Sequence, residues 1–543
     1  MKRCAALRGW MLRVALVGLG GIGCALALAP RAGAQAFADL PSAQVDYSHA
    51  DMIPRVSCRD LARYAGRSIV ALRAAAFGID GTTPAHCRVS GTLAPEIAFE
   101  VALPEHWNGR FYMIGNGGDA GESLEDPGRA AQRATALRLG FAFAQTNTGH
   151  DAHQEPGATF VLSNPQKAID YAYRAVHLTA LTAKALTSRY YGMPIAHSYW
   201  NSCSNGGRQG LIEAERYPQD FDGLVVNAPW ISQTGFTLGA LWNQRALDAA
   251  TPLTPAKLAL LAHEVMQRCD GIDGVVDGLI DDPRKCDFDA QRDVPQCPVG
   301  TDGPDCLTQA QAQAVMKIYG GPRSDGKALF PGYEPGSEAV ISSGFGVAHE
   351  ASAWLNLIVP SQPDRKSADF NLAENTLRYL ALVPPQPAYD YRSFDFEHDV
   401  PLLDAWGRKA NATNPDLSRF RARGGKLLMT HGWADPILQP RESIAYYEQV
   451  LARNGPRTAD FFRLFMVPGM THCSGGNGTD HFDAMTALID WVEKAKAPAV
   501  LLAAHVEHEH ITRRRPLCPY PQLARYSGHG SIDAAANFLC ANP

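Results

Sequence analysis

Residues 198–230 read SYWNSCSNGGRQGLIEAERYPQDFDGLVVNAPW, and the turn inside them decides the fold. Ahead of the turn a short strand is expected over 196–202, after it residues 207–216 carry a helical pattern, and Leu224, Val225 and Val226 open the next strand. Between strand and helix stands Ser202-Cys203-Ser204-Asn205-Gly206-Gly207. A turn sharp enough to lift a serine hydroxyl above a sheet edge needs small residues two positions to either side. Gly206 supplies one and Ser202 the other, so the pattern is G-x-S-x-G with its first glycine replaced by serine. A glycine-rich strand-to-helix turn without chemistry reads the same way, so the motif alone leaves both readings open.

Working outward, residues 110–114 (RFYMI) and 141–145 (FAFAQ) predict strands and 168–190 a helix. The alternation resumes with strands at 426–431 (KLLMTH) and 462–467 (FRLFMV) and a helix at 481–493. Apolar strands alternating with amphipathic helices predict an α/β domain covered on both faces. Residues 230–400 differ: they are rich in Gly, Pro and Asp, hold four cysteines, and show helical pattern only over 254–268 and 308–319. They read as an inserted lid, dividing the chain into a leader (1–34), a first core part (35–229), the lid (230–400) and a second core part (401–543).

Partners for Ser204 are sought in the order serine, acid, histidine, each after a late strand, as an α/β-hydrolase fold requires. Asp435 lies just past the 426–431 strand in HGWADPILQP, and His472 just past the 462–467 strand in PGMTHC. The chemistry assigns proton acceptance to His472 and orientation of its ring to Asp435. A tetrahedral oxyanion needs backbone donors from the residue after the nucleophile, Asn205, and from an early glycine-rich loop. Gly115-Asn116-Gly117-Gly118 follows RFYMI directly, making Gly117 and Gly118 the second candidates.

The chain has 543 residues, 46% apolar, 19% charged and 9% aromatic, so it is neither fibrous nor disordered. Five of its 50 basic residues and none of its 55 acidic ones fall within 1–34, which leaves the rest with a formal charge of −10 and argues against nucleic-acid binding. That leader has a basic start, an apolar stretch and the small-x-small pattern Ala32-Gly33-Ala34, which predicts an export signal, a secreted or periplasmic protein, and no membrane anchor after cleavage. Ten cysteines remain beyond it, an even number in an oxidising compartment. Cys58 and Cys87, Cys269 and Cys286, Cys297 and Cys306, and Cys518 and Cys540 are neighbours in the chain, while Cys203 and Cys473 are left over. Connectivity stays open from sequence alone, although a Ser204/His472 pairing would also bring Cys203 and Cys473 within disulfide range.

CDGIDGVVDGLIDD (269–282) spaces Asp270, Asp273 and Asp277 between glycines, with no Lys or Arg among them. Such a carboxylate loop suits Ca2+, with carbonyls of Val275 and Leu279 completing the set. It is not an EF-hand, and a solvated acidic loop is the alternative.

With these residues in hand, the chain resembles the tannase and feruloyl esterase family. The resemblance rests on residues 198–230, the loop CDGIDGVVDGLIDDP (269–283), HGWADPILQP (431–440) and VPGMTHCSGG (467–476). It implies a Ser204, Asp435, His472 triad, a calcium-holding lid, disulfides between the five cysteine pairs above, and hydrolysis of a small aromatic ester of feruloyl type. Galloyl esters or mono(2-hydroxyethyl) terephthalate are the alternative substrates. Other classes remain: a silent binding protein on this fold, a calcium-dependent surface protein, or a peptidase. Trp242, Phe345, Trp354 and Phe370 are candidate ring-stacking residues of the lid, and Arg365, Lys366 and Arg378 candidate carboxylate partners, though each is as readily lid core or solvated surface.

Overall fold

One sheet carries the site, built from β1 Ile69–Phe77, β2 His86–Leu93, β3 Ile97–Pro104, β4 Arg110–Ile114, β5 Ala142–Thr146, β6 His197–Ser204, β7 Gly223–Pro229, β8 Lys426–Gly432 and β9 Phe462–Val467. Its order is β1-β2-β3-β5-β4-β6-β7-β8-β9, antiparallel from β1 through β3 to β5 and parallel from there on. The computed structural model describes residues 45–543 apart from 48, 67, 343–347 and 363–364. The expected leader and Phe345 lie outside the described residues.

The parallel strands are apolar on both faces because helices cover both. Phe111, Met113, Trp200, Leu224, Val226, Leu427, Met429 and Leu464 share a core with Ala180, Leu186, Leu211, Ile212, Ile444 and Val450 of helices Ala175–Tyr191, Asn205–Arg216 and Pro440–Asn454. Their chain neighbours Tyr112, Tyr199, Val225, Leu428 and Phe465 pack on the other side against helices Pro127–Arg138 and Ala484–Lys494. This is the α/β-hydrolase architecture, with its functional ends at the carboxyl edge of the parallel strands.

Three features depart from the sequence reading. The sheet begins at Ile69, because β1 to β3 precede the parallel strands; β1 is an exposed edge whose alanine-rich run carries little pattern. The helix expected over 168–190 is broken by a π-helical turn, Asp170–Arg174, ahead of Ala175–Tyr191. The insertion between β7 and β8 runs on past residue 400, since Trp406 of helix Asp404–Ala410 is buried with Leu238 and Leu241 of helix Gln233–Asp248. Two antiparallel strand pairs follow the sheet, Leu501–Glu507 with His510–Leu517 and Leu523–Tyr526 with Phe538–Ala541. Among the described residues no helix is long and apolar enough to cross a membrane.

Candidate active site

β6 ends on Ser204, whose φ of 61° and ψ of −127° turn the chain into helix Asn205–Arg216 at the next residue. A non-glycine residue at positive φ costs on the order of 1–3 kcal/mol and persists only where its surroundings impose it. Here the Ser204 carbonyl accepts from Trp230 N at 2.9 Å, pinning the turn to the end of β7. A Cβ on Gly206 would stand 1.9 Å from Ser202 Oγ and 2.6 Å from its Cβ, so Gly206 admits no side chain while Ser202 fills the space a first glycine would leave.

Asp435 and His472 meet where the ends of β8 and β9 lie side by side. His472 Nδ1 is 2.8 Å from Asp435 Oδ2, and both side chains are buried. Asp435 Oδ1 accepts from the amides of Ile437 and Leu438 at 2.8 and 2.9 Å, which fixes the carboxylate plane. His431 Nε2 lies 3.2 Å from the same Oδ2, its ring held by Ser443 Oγ at 2.8 Å from Nδ1. Burial pushes the Asp435 carboxyl up, but His472 and His431 outweigh it and hold the group below the usual carboxylate range. His431 sits four residues before Asp435 within the predicted strand, and its part in holding the acid has no local sequence signal.

Cys203 and Cys473, the neighbours of Ser204 and His472, are joined by a disulfide with Cα atoms 5.8 Å apart. A ring nitrogen of His472 lies within 4.8 Å of both sulfurs, which places the histidine beside the serine turn. Cys473 O also accepts from Asn227 Nδ2 at 2.8 Å, tying the histidine loop to β7.

The loop after β4 packs onto the serine turn: a Cβ on Gly115 would stand 2.7 Å from Gly206 Cα. Its amides are not all available. Asn116 N donates to Gln209 Oε1 at 3.0 Å and Gly117 N to Glu122 Oε1 at 2.9 Å, with Glu122 held by Arg129 at 2.6 Å. Of the two candidates Gly117 and Gly118, the first has its N–H engaged by a carboxylate.

Residues 82–541 match the family model for tannase and feruloyl esterase. The chain belongs to the tannase and feruloyl esterase family. It is a carboxylic ester hydrolase of that family. It is 34% identical over 518 residues to the mono(2-hydroxyethyl) terephthalate hydrolase of Piscinibacter sakaiensis, covering 85% of each chain. It is 32% identical over 458 residues to a probable feruloyl esterase of Arthroderma benhamiae, covering 81% of each. The crystal structure of feruloyl esterase B from Aspergillus oryzae superposes with a TM-score of 0.76 at 26% identity, over 89% of this chain and 100% of that one.

In this esterase the candidate stacking and carboxylate-binding residues named from sequence within the insertion are largely internal or paired. Trp354 is buried and donates to Ser337 Oγ at 2.9 Å, Phe370 packs edge-on against Tyr391, and Trp242 edge-on against Phe396. Lys366 and Arg378 both pair with Glu374, so neither offers an unopposed charge to a substrate carboxylate.

The remaining cysteines form disulfides 58–87, 269–286, 297–306 and 518–540. Inside the 269–286 loop, Gly274 and Gly278 take φ of 95° and 79° to close tight turns. Asp270 carboxylate oxygens accept from the amides of Asp277 and Gly278, Asp273 from Val275 N, and Asp277 from Leu279 N. Two features lay beyond sequence reach. Arg515 of the C-terminal hairpin reaches Asp277 Oδ2 at 2.6 Å, so the loop does have a basic neighbour. Asp281 is buried against Asp273, and burial followed by the charge of Asp273 raises its carboxyl. A carboxylate-rich loop with two acids forced together has the donor chemistry of a hard-cation site. Two tighter groups of metal-ligating types lie elsewhere among the described residues. Cys203, His472 and Cys473 have their sulfurs in a disulfide, and His177, Glu213 and Asp220 are balanced by Lys184, which donates to Asp220 O.

Proposed function

We propose that this esterase is an exported serine hydrolase that cleaves small aromatic esters of feruloyl type through Ser204, His472 and Asp435. The observation that carries the reading is the His472 Nδ1 to Asp435 contact beside the disulfide that joins the neighbours of Ser204 and His472. With Nδ1–H donated to an ionised carboxylate, Nε2 keeps its lone pair for the Ser204 proton. Ser204 Oγ attacks the ester carbonyl as its proton passes to His472 Nε2. The oxyanion takes amide hydrogens from Asn205 and from Gly118, whose neighbour Gly117 is engaged by Glu122. Collapse expels the alcohol with the proton held by His472, leaving an acyl-enzyme. Water, deprotonated by His472, attacks the acyl carbon, and Ser204 leaves with the proton returned.

The aromatic acid is supported by relatives named for feruloyl esters and for mono(2-hydroxyethyl) terephthalate. The 34% identity to the latter over 85% of the chain favours a second reading, a terephthalate monoester. Ca2+ is proposed for the 269–286 loop, held by Asp270, Asp273 and Asp277 with carbonyls of Val275 and Leu279; it would neutralise the loop and stiffen the lid without a part in the reaction. Hydrolysis of methyl ferulate, methyl gallate and mono(2-hydroxyethyl) terephthalate, with Ser204→Ala as control, tests the reading. Preference for one names the acid. No turnover of any by folded protein overturns the aromatic-ester reading, and full turnover by Ser204→Ala overturns the serine mechanism.

A further inference from the structure

Behind the proposed oxyanion donors lies a buried hydrogen-bond chain that no part of the reaction uses directly. Tyr171 Oη donates to the Gly118 carbonyl at 2.9 Å, Gln233 Nε2 donates to Tyr171 Oη at 2.8 Å, and Trp406 Nε1 donates to Gln233 Oε1 at 3.0 Å. Burial pushes the Tyr171 phenol up, so its hydroxyl stays protonated and remains a donor. Beneath the Tyr171 ring, 5.3 Å from its centroid, lies the Arg208 guanidinium, which is fully buried. Arg208 Nε donates to Asn205 Oδ1 at 2.8 Å, and Nη1 donates to the carbonyls of Ala172 and Ala410, each at 2.8 Å.

The π-helical turn explains how the backbone supplies these acceptors. Its widened ladder at Asp170–Arg174 alters the usual helical pairing, and the Tyr171 and Ala172 carbonyls both accept from Arg208. Such turns recur at functional sites. The two ends of the lid close the arrangement, since Gln233 opens the first lid helix and Trp406 and Ala410 belong to helix Asp404–Ala410.

We infer that Tyr171 and Arg208 form one brace that positions both oxyanion donors, Gly118 through its carbonyl and Asn205 through its side chain, and that the two roots of the lid complete it. This rests on the serine-esterase reading above. Tyr171 is a positioning residue: it touches no substrate atom, and its phenol sets the residue whose own N–H meets the developing charge. A hydrogen bond of this kind acts on the transition state more than on substrate binding, because an oxyanion forms only after attack.

Tyr171→Phe keeps the ring between Arg208 and Trp406 and removes only the hydroxyl. With p-nitrophenyl acetate, kcat should fall roughly tenfold, less than the 10²–10³-fold cost of deleting an oxyanion donor, while KM stays within about twofold. The rate of inactivation by a p-nitrophenyl phosphonate, whose P–O occupies the oxyanion position, should fall in parallel. Gln233→Met should lower kcat by a smaller factor and add nothing in the double variant, because both act through one hydroxyl. Wild-type kcat in Tyr171→Phe, or a rise in KM at unchanged kcat, overturns the brace. Should that variant fail to fold, Trp406→Phe removes the indole donor from the lid side; a roughly threefold fall in kcat supports the brace and unchanged kcat overturns it. Ser204→Ala, assayed alongside, separates the two readings: full turnover there sinks the serine mechanism, whereas its loss with normal Tyr171→Phe sinks the brace alone.

Discussion

Cys203 and Cys473 stand 5.8 Å apart at Cα across a disulfide that closes 270 residues of chain, and each is the immediate neighbour of a proposed catalytic residue. The bridge therefore constrains the unfolded chain and fixes the proposed nucleophile relative to its proposed base. In the chain-entropy account, closure of so long a loop is worth about 5 kcal/mol, against about 2–3 kcal/mol for the 297–306 loop. Cys203→Ala with Cys473→Ala should lower Tm further than Cys297→Ala with Cys306→Ala, and only the first pair should lower kcat in protein that remains folded. Calorimetry and ester turnover on both check this; equal kcat losses would mean that the bridge has no special bearing on the site.

Ser202 and Gly206 share one space at the serine turn. The 1.9 Å approach of a Gly206 Cβ to Ser202 Oγ, with Ser202 Cβ at 2.6 Å, cannot be relieved by rotating the hydroxyl. Gly206→Ala should therefore cost about 1–3 kcal/mol through overpacking and most of the activity. Adding Ser202→Gly removes both clashing atoms and leaves Asn116 N at 3.0 Å as the nearest neighbour. The double variant should recover stability and part of the turnover, and a double variant no better than Gly206→Ala alone would contradict this packing.

Asp435→Asn makes a sharp test because the amide can be oriented in only one way. Ile437 N and Leu438 N both need an acceptor, which places the amide oxygen at the Oδ1 position and its NH2 toward His472 Nδ1. A donor there reverses the histidine tautomer, and Nε2 then carries a proton instead of accepting one from Ser204. The expected loss is roughly 10⁴-fold in kcat with KM little changed. His431→Gln, which leaves the carboxylate and its two amides in place, should cost far less; comparable losses would shift the acid's role onto the His431 pair.

Much of this site was legible because its signals are local. The runs FYMI, LVV and LLM are apolar at every position, as strands buried on both faces must be, and the candidate acid and histidine lie just past strands of that kind, whereas the strand before Ser204, HSYWNSCS, is marked by its turn rather than by apolar pattern. The exposed, alanine-rich β1 carries no such pattern, and β1 to β3 were not anticipated as part of the sheet. Contacts made across the fold were also hidden: Glu122 taking the Gly117 amide, Arg515 arriving at Asp277 from 238 residues away, and Tyr171 meeting Gly118. The insertion between β7 and β8 was hardest to read, because the aromatic rings that could stack on a substrate are of the same types as those that fill its own core.

The 269–286 loop yields a thermodynamic test. If Ca2+ binds the folded loop and not the unfolded chain, it stabilises the protein by about 2.7 kcal/mol at a hundred times its dissociation constant. EGTA should lower Tm by several degrees and added Ca2+ restore it, with kcat at 25 °C unaltered. Asp273→Asn removes a carboxylate whose partner Asp281 is already strained by burial, so its Tm should no longer respond to EGTA. An EGTA response that survives in Asp273→Asn would place the ion elsewhere.

Asp119 follows Gly118 and accepts at Oδ2 from Asn375 Nδ2 of the lid at 3.0 Å, while its Oδ1 is buried without a hydrogen-bond partner among the described residues. Burial pushes its carboxyl up to about 7, against the lowering effect of Asn375. The folded protein thus holds this proton more tightly than the unfolded chain, whose carboxyl titrates at about 4. Its contribution to stability is present below pH about 4 and is lost as pH rises to about 7, where the folded group ionises as well. Asp119→Asn cannot ionise, so it removes this slope. Glu338 and Asp369, also raised to about 7, remain in both proteins and make the comparison one of differences. Between pH 5 and 8 the Tm of Asp119→Asn should fall by less than that of the parent, with the variant relatively more stable at pH 8. Parallel Tm curves would show that Asp119 is ionised at both ends of the range.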